Sequence, residues 1–445
     1  MIPFEFLQEE CRSVRAALKE TLRHDYGPER SWSYFSECAE RLDGIEADID
    51  DEPDMDSATI ATKLRQLSAL GSRISLIERS HLGEFSWPFV ETIRAIADQF
   101  LRDKDPDPDS NGTSPPIIHV VAEGMHYQIV DDVTPRMGNR RIVVVAFPRQ
   151  LKHHVLLHSI FGHELGHTAS ASTETGARIT HEVLEALVDQ TALQDSVQAT
   201  QWLRSDRAPP LPADQSGNKT FPEEALVNWR TEIICDLFGL MLFGPSFVAA
   251  HRTILEPLSG NPAEFTLLNS THPPYAIRRQ ILAAAVRLLG WNKPITRKKD
   301  GAIREAENLL IEYISSEPED GWTPLLSNAQ LNTVLTKLKA IFADYPHLSY
   351  RRAKREVCIE LVERLTLGRP PILQSIDTEG TPKNEPLPTY QCLYAGWCAW
   401  FGRDVLHASR AKKVPGLRQF TFLEINRLCD YAILQQCAID LSLAA

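Results

Sequence analysis

The sequence predicts a mainly helical α+β fold with a small antiparallel or mixed sheet, flanked on both sides by helical regions. Three observations carry this. Apolar residues recur at helical spacing near the N-terminus, as in Leu7, Cys11, Val14, Ala17, Leu18 and Leu22. Three short β-type runs gather between Ile117 and Phe147. Apolar helical stretches then fill the remainder. The expected segments are an N-terminal helical region over 1–104, a central α+β domain over 115–295 and a C-terminal helical region over 296–445.

Taken in order, four amphipathic stretches come first: the one beginning near Leu7, then about Ser31–Ile49, Ser57–Ile77 and Trp87–Leu101. Asp103 to Pro116 is rich in Asp, Pro, Ser and Gly and reads as a loop or linker. The β-type runs are Ile117–Val121, Tyr127–Val130 and Arg141–Phe147, the last being the strongest. Pro148 ends it and is suited to open a helix running to His167. Another helix is expected over Ile179–Thr200, a Pro-rich loop over Ala208–Pro222 and a very apolar helix over Glu223–Leu242. Further helices follow from Tyr275, with a Pro-rich break between Gly368 and Pro388.

Composition narrows the function. Of 445 residues, 43% are hydrophobic and 24% charged, as in a globular protein rather than a disordered one. A net charge of -12 argues against a general binder of nucleic acid or anionic membranes. The short basic clusters Arg297-Lys298-Lys299 and Arg351-Arg352 with Lys354-Arg355 read as solvated faces. No stretch reaches the roughly 18 apolar residues of a membrane span, and the first ten residues do not read as a secretory signal. Eight scattered cysteines, none in a C-x-x-C pair, suit free thiols in a reducing cytoplasm.

The chemistry concentrates in His163-Glu164-Leu165-Gly166-His167. Residues four apart share one helix face, so His163 and His167 project toward a common point and can supply half of a tetrahedral zinc site. Glu164 points beside that metal, where a carboxylate can take a proton from an activated water. With 14 histidines in the chain, such a pattern is expected by chance only roughly 0.03 times. Three protein ligands are needed if one position stays open. Ser170 and Thr173 stand where a metzincin continuation requires Gly and His, so the third ligand comes from elsewhere. Two E-x-x-x-D segments offer it: Glu185 with Asp189, and Glu232 with Asp236. Glu185 sits among polar residues. Glu232 lies in an apolar run where two carboxylates require a metal or a cation, which favours it, with Glu185 as its rival. In either segment the Asp can accept the free N–H of a ligating histidine.

A third element, Ser270-Thr271-His272-Pro273-Pro274-Tyr275, is followed by Arg278, six residues after the histidine. The ordered set H-E-x-x-H, E-x-x-x-D and T-H-P-P resembles the gluzincin family of the HtpX heat-shock proteases and CAAX prenyl endopeptidases. The resemblance covers roughly Ile117 to Leu289. It implies a zincin-like metallopeptidase core with one zinc ion held by His163, His167 and Glu232, and Glu164 as general base. Asp236 would orient a histidine ligand. His272 would lie near the metal, as an oxyanion donor or an occluding ligand, and Arg278 would brace that loop or meet the active-site carboxylates. Well-known members are membrane-embedded, unlike this chain, so prenylated substrates are not implied. The expected activity is a cytoplasmic zinc endopeptidase acting on protein or peptide, restrained by a regulatory protein partner. A zincin-fold binding or sensor module and a hydrolase of non-peptide amides are the alternatives.

Several other residues read as structural. His153, His154 and His158 are expected to be polar surface or substrate-side groups, and His181 with Glu182 to face solvent. Tyr275 reads as a core or loop aromatic. Tyr394, Trp397, Trp400 and Phe401 read as core packing. Gly162 and Gly166 cost helix propensity and imply close packing near the metal.

Overall fold

In a computed structural model the described residues are 3–23, 32–52, 54–78, 87–100, 103–104, 113–114, 117–121, 127–131, 142–172, 183, 223–259, 272–317, 326–376, 382–411 and 418–444. The four N-terminal amphipathic stretches form helices α1 (Pro3–Thr21), α2 (Trp32–Asp51), α3 (Ser57–Glu78) and α4 (Trp87–Phe100). Contacts divide the chain into two compact units, Met1–Val90 with Arg102–Lys152, and Glu91–Leu101 with His153–Ala445.

In the first unit the apolar stripes of α1, α2 and α3 close on one another. Leu7, Cys11, Val14 and Leu18 share a core with Cys38, Leu42, Ile45 and Ile49, and with Ile60, Leu67, Leu70 and Ile74. Arg15 on α1 donates from Nε to Glu46 on α2 at 2.8 Å. Asp56 accepts from the Thr59 amide at 2.7 Å and caps the start of α3. The segment expected as a linker contains two short strands, β1 (Asp103–Lys104) and β2 (Thr113–Ser114), paired antiparallel. The three β-type runs become β3 (Ile117–Val121), β4 (Gln128–Asp131) and β5 (Ile142–Ala146). They form one mixed sheet in the order β3-β5-β4, with β3 parallel and β4 antiparallel to β5. The most apolar run thus takes the central position, where both edges of its backbone are paired. Ala146 of β5 joins the helical core.

The helix expected from Pro148 to His167 is broken. A 3-10 turn at Leu157–Ile160 leads into α5 (Phe161–Ser172), and a separate turn at Arg149–Leu151 precedes both. Tertiary partners engage this stretch through one backbone amide and one side-chain hydroxyl. Asn426 Oδ1 accepts from the Leu156 amide at 2.8 Å, and the Ser159 hydroxyl donates to Ser246 O at 3.2 Å. His163 therefore lies in the first turn of α5. The apolar stretch after Pro222 forms α6 (Glu223–Phe243), followed by α7 (Pro245–Leu255) and α8 (Tyr275–Leu288). The helix expected over Ile179–Thr200 and the loop over Ala208–Pro222 lie outside the described residues, apart from Val183.

The C-terminal part contributes α9 (Ala302–Ser315), α10 (Asn328–Ala343) and α11 (Arg355–Thr366). A hairpin of β6 (Leu373–Ile376) and β7 (Pro382–Glu385) follows, then α12 (Thr389–Phe401), α13 (Arg403–Ala411) and α14 (Phe422–Ala444). The hairpin occupies the expected Pro-rich break, with Pro382 opposite Ile376. The unit boundaries differ from the three expected segments. The sheet groups with the N-terminal helices, and the C-terminal helices group with the motif helix. The reason for the second difference is packing: α9 rests on α7, α8 and α12, and α10 on α6 and α8. Phe100 of α4 belongs to the same core, its ring 5.1 Å from Phe238 and 5.3 Å from Phe342. Tyr394 and Trp397 are buried within it as expected. All eight cysteines are buried, and none is in a disulfide. No helix among the described residues is long and apolar enough to cross a membrane.

Candidate metal centre

The site depends on how closely α5 approaches α6. A Cβ on Gly162 would stand 2.8 Å from the Cα of Gly239, and one on Gly166 would stand 2.9 Å from the Cα of Cys235. Only hydrogen fits at either place. The glycines one residue before each histidine therefore let the two backbones nearly touch. Trp229, Ile233, Ile234, Leu237, Phe238 and Leu240 bury α6 almost all round. Within that apolar surface, Glu232 and Asp236 lie one turn apart and face the histidines.

His163, His167 and Glu232 converge as one group able to hold a metal ion. His163 Nε2 and His167 Nε2 are 3.1 Å apart. Glu232 places Oε2 at 3.2 Å from His163 Nε2 and Oε1 at 3.1 Å from His167 Nε2. Ligands held tetrahedrally at about 2.0–2.1 Å from zinc would be separated by roughly 3.3 Å, so these spacings fit that edge closely. The donor chemistry fits as well. Four electron-rich atoms turned inward repel one another unless a proton or a cation lies among them. Glu232 Oε2 is buried without a well-aligned hydrogen bond.

Behind these groups stands a second layer. Asp236 is 1% exposed, and its Oδ1 accepts from His163 Nδ1 at 2.8 Å. With Nδ1–H so engaged, the Nε2 lone pair of His163 is left facing His167 and Glu232. Arg278 grips Asp236 as a fork, donating from Nε to Oδ2 at 2.8 Å and from Nη2 to Oδ1 at 2.7 Å. Its Nη1 lies 3.6 Å from Glu232 Oε2. Arg278 thus meets the carboxylates, one of its two expected roles.

Burial shapes the charge of each group. It would lower the pKa of His163, but the Asp236 charge and hydrogen bonds to Asp236 and Glu232 outweigh it and push the imidazole up to about 9. Burial would raise both carboxylates. For Glu232 the close contacts with His163 and His167 prevail, and for Asp236 the Arg278 charge, so each is held well below the usual carboxylate range. Two buried carboxylates against one guanidinium leave one negative charge, which a protonated His163 or a divalent cation would answer.

Glu164 is half-buried beside this group, close enough for its charge to act on Arg278 and Cys235. His272 stands at the rim, 59% exposed, with Nε2 at 3.4 Å from Glu232 Oε1. It is not one of the three converging groups. Tyr275 stacks on His251, ring centroids 5.8 Å apart. Burial and the nearby Glu256 charge raise the pKa of its hydroxyl. His158 departs from the expectation of a polar surface group: it is buried, 6.0 Å from the Phe161 ring. The rival Glu185 with Asp189, and His181 with Glu182, lie outside the described residues, as does Thr271.

One contributor escaped the sequence reading. His251 on α7 is 1% exposed, and its Nε2 lies 3.3 Å from Asp236 Oδ1. Burial outweighs the attraction of Asp236 and lowers its pKa. Its only sequence signal is a single histidine in the apolar run Phe247-Val248-Ala249-Ala250-His251. The chain matches no protein-family model, and no curated protein and no solved structure is detectably similar to it.

Proposed function

We propose that this chain is a zinc-dependent endopeptidase with a gluzincin-type site on a zincin-like core. The observation that carries the reading is the convergence of His163, His167 and Glu232 at tetrahedral-edge distances beside Glu164. His163, His167 and Glu232 would hold the ion. Bound there, zinc would supply Lewis acidity, making a water more acidic and a peptide carbonyl more electrophilic.

The chain's own groups do the rest. Glu164 accepts the proton of the attacking water and passes it to the leaving amine. Asp236 keeps His163 in the tautomer whose Nε2 is free to ligate, and Arg278 holds Asp236 ionised and oriented. His272, on the exposed rim, would donate to the oxygen that becomes negative. A protein or peptide in extended form is the substrate class such a site serves, and the proposed setting is the cytoplasm, with a regulatory protein partner.

The test is Glu164→Gln in the full chain, assayed on an unfolded protein such as reduced casein. The variant should keep one zinc per chain and lose cleavage by at least about 10²-fold. Cleavage at the wild-type rate would overturn the assignment.

A further inference from the structure

The two helices behind the metal centre each carry a tandem pair of basic residues, His251-Arg252 on α7 and Arg278-Arg279 on α8. The pairs form two tiers. In the outer tier, Arg252 donates to Glu256 from Nε at 2.8 Å, and Arg279 donates to the same carboxylate from Nη1 at 3.0 Å. Both also reach the Ser316 hydroxyl beyond the C-terminal end of α9, at 2.6 and 3.0 Å. In the inner tier, Arg278 and His251 both turn to Asp236. Asp236 Oδ1 therefore has three neighbours: His163 Nδ1 at 2.8 Å, Arg278 Nη2 at 2.7 Å and His251 Nε2 at 3.3 Å.

The His251 ring has two aromatic neighbours. Phe247 lies 5.6 Å away at 45°, and Tyr275 stacks 5.8 Å away at 24°. Tyr275 opens α8 directly after His272-Pro273-Pro274. His251 thus links the carboxylate that orients a metal ligand to the turn that carries His272. Its Nε2 is buried and has no well-aligned partner. A polar atom in that position is costly unless it serves a neighbour, and the nearest charged oxygen is that of Asp236.

We propose that His251 is a positioning residue of the metal centre: its Nε2–H supports Asp236, which in turn holds the Nε2 lone pair of His163 toward the ion. The proposal rests on the metallopeptidase reading above but concerns metal retention, not turnover. Groups that hydrogen-bond a metal ligand typically alter metal affinity about 10–100-fold, and His251 acts through one of these, Asp236.

The experiment measures zinc release from the full-length, zinc-loaded chain to an excess of chelator, for wild type, His251→Leu, His251→Asn and His251→Gln. Gln can place an amide N–H where Nε2 stands; Leu has no donor and Asn is too short to reach Asp236. Leu and Asn should release zinc at least about tenfold faster than wild type, while Gln stays within about threefold. Two Leu/Asn variants of different polarity keep the comparison available where one fails to fold. Equal release from all variants would overturn the proposal. So would equally fast release from Gln, Leu and Asn, because the ring would then matter only as packing. Release is read without substrate. A wild type that holds zinc but cleaves no peptide removes the peptidase reading alone, and a wild type that takes up no zinc removes both.

Discussion

Asp236 is the residue on which most of the site converges, and its surroundings make the clearest predictions. Its fork with Arg278 is fully buried. Arg278→Leu leaves two buried carboxylates without their guanidinium, which should cost about 3–5 kcal/mol in the metal-free protein. A denaturant midpoint measured without zinc checks this, and zinc should restore part of the loss. An unchanged midpoint would mean that the charges are screened in solution. His163 supplies a pH dependence. Its pKa is pushed up to about 9, so below that pH a proton competes with the ion, and raising the pH frees the nitrogen. Zinc affinity should therefore climb by about tenfold per pH unit from 6.5 to 8.5, measured against a chelator of known proton affinity. Affinity flat over that range would show that His163 is not the competing group. At the same scale, Glu232→Gln should abolish stoichiometric zinc and Glu185→Gln should not, by metal analysis of the purified variants.

At the scale of elements, the crossing of α5 and α6 sets the reach of the ligands. Gly162→Ala and Gly166→Ala oppose two effects. Alanine gains about 1 kcal/mol of helix propensity. Its Cβ, however, would lie 2.8 or 2.9 Å from backbone atoms of α6, and backbone cannot yield as a flexible side chain does. Overpacking of this kind costs about 1–3 kcal/mol or more. Both variants should be less stable on balance and should bind zinc more weakly, because separating the helices draws His163 and His167 away from Glu232. Thermal unfolding with and without zinc tests this; a rise in the metal-free midpoint would show that propensity wins.

At the scale of the molecule, the C-terminal helices are part of the unit that holds the site. Glu307 on α9 is fully buried. It accepts from the amides of Ile295 and Thr296 at 3.0 and 2.8 Å and from the Tyr394 hydroxyl at 2.8 Å. Arg252 and Arg279 tie α7 and α8 to the end of the same helix. A chain cut after residue 295 would expose the apolar faces of α7 and α8 that α9 covers. It should be insoluble or molten, seen as loss of near-ultraviolet circular dichroism. A folded, zinc-binding fragment 1–295 would show that the central segment stands alone.

The local part of the site was legible in the chain. Helical repeat alone put His163 and His167 on one face, set Glu164 beside them, and placed Glu232 one turn from Asp236. The β-type runs were found within a residue or two because alternation and β-branching are local properties. Three things were not legible. Sequence could not say that the stretch before α5 breaks, because Asn426 takes the Leu156 amide, and the Ser246 carbonyl the Ser159 hydroxyl, from far along the chain. It could not find His251, which carries no motif and matters only through the oxygen it faces. Nor could it assign the C-terminal helices, since the buried face of α9 looks the same whether it closes a separate domain or the back of a metal centre. Spacing along a helix is fixed by covalent geometry and is written in the sequence. Which helices meet, and which polar atoms they leave facing one another, is decided by packing between distant segments, here by glycines that allow two backbones to touch.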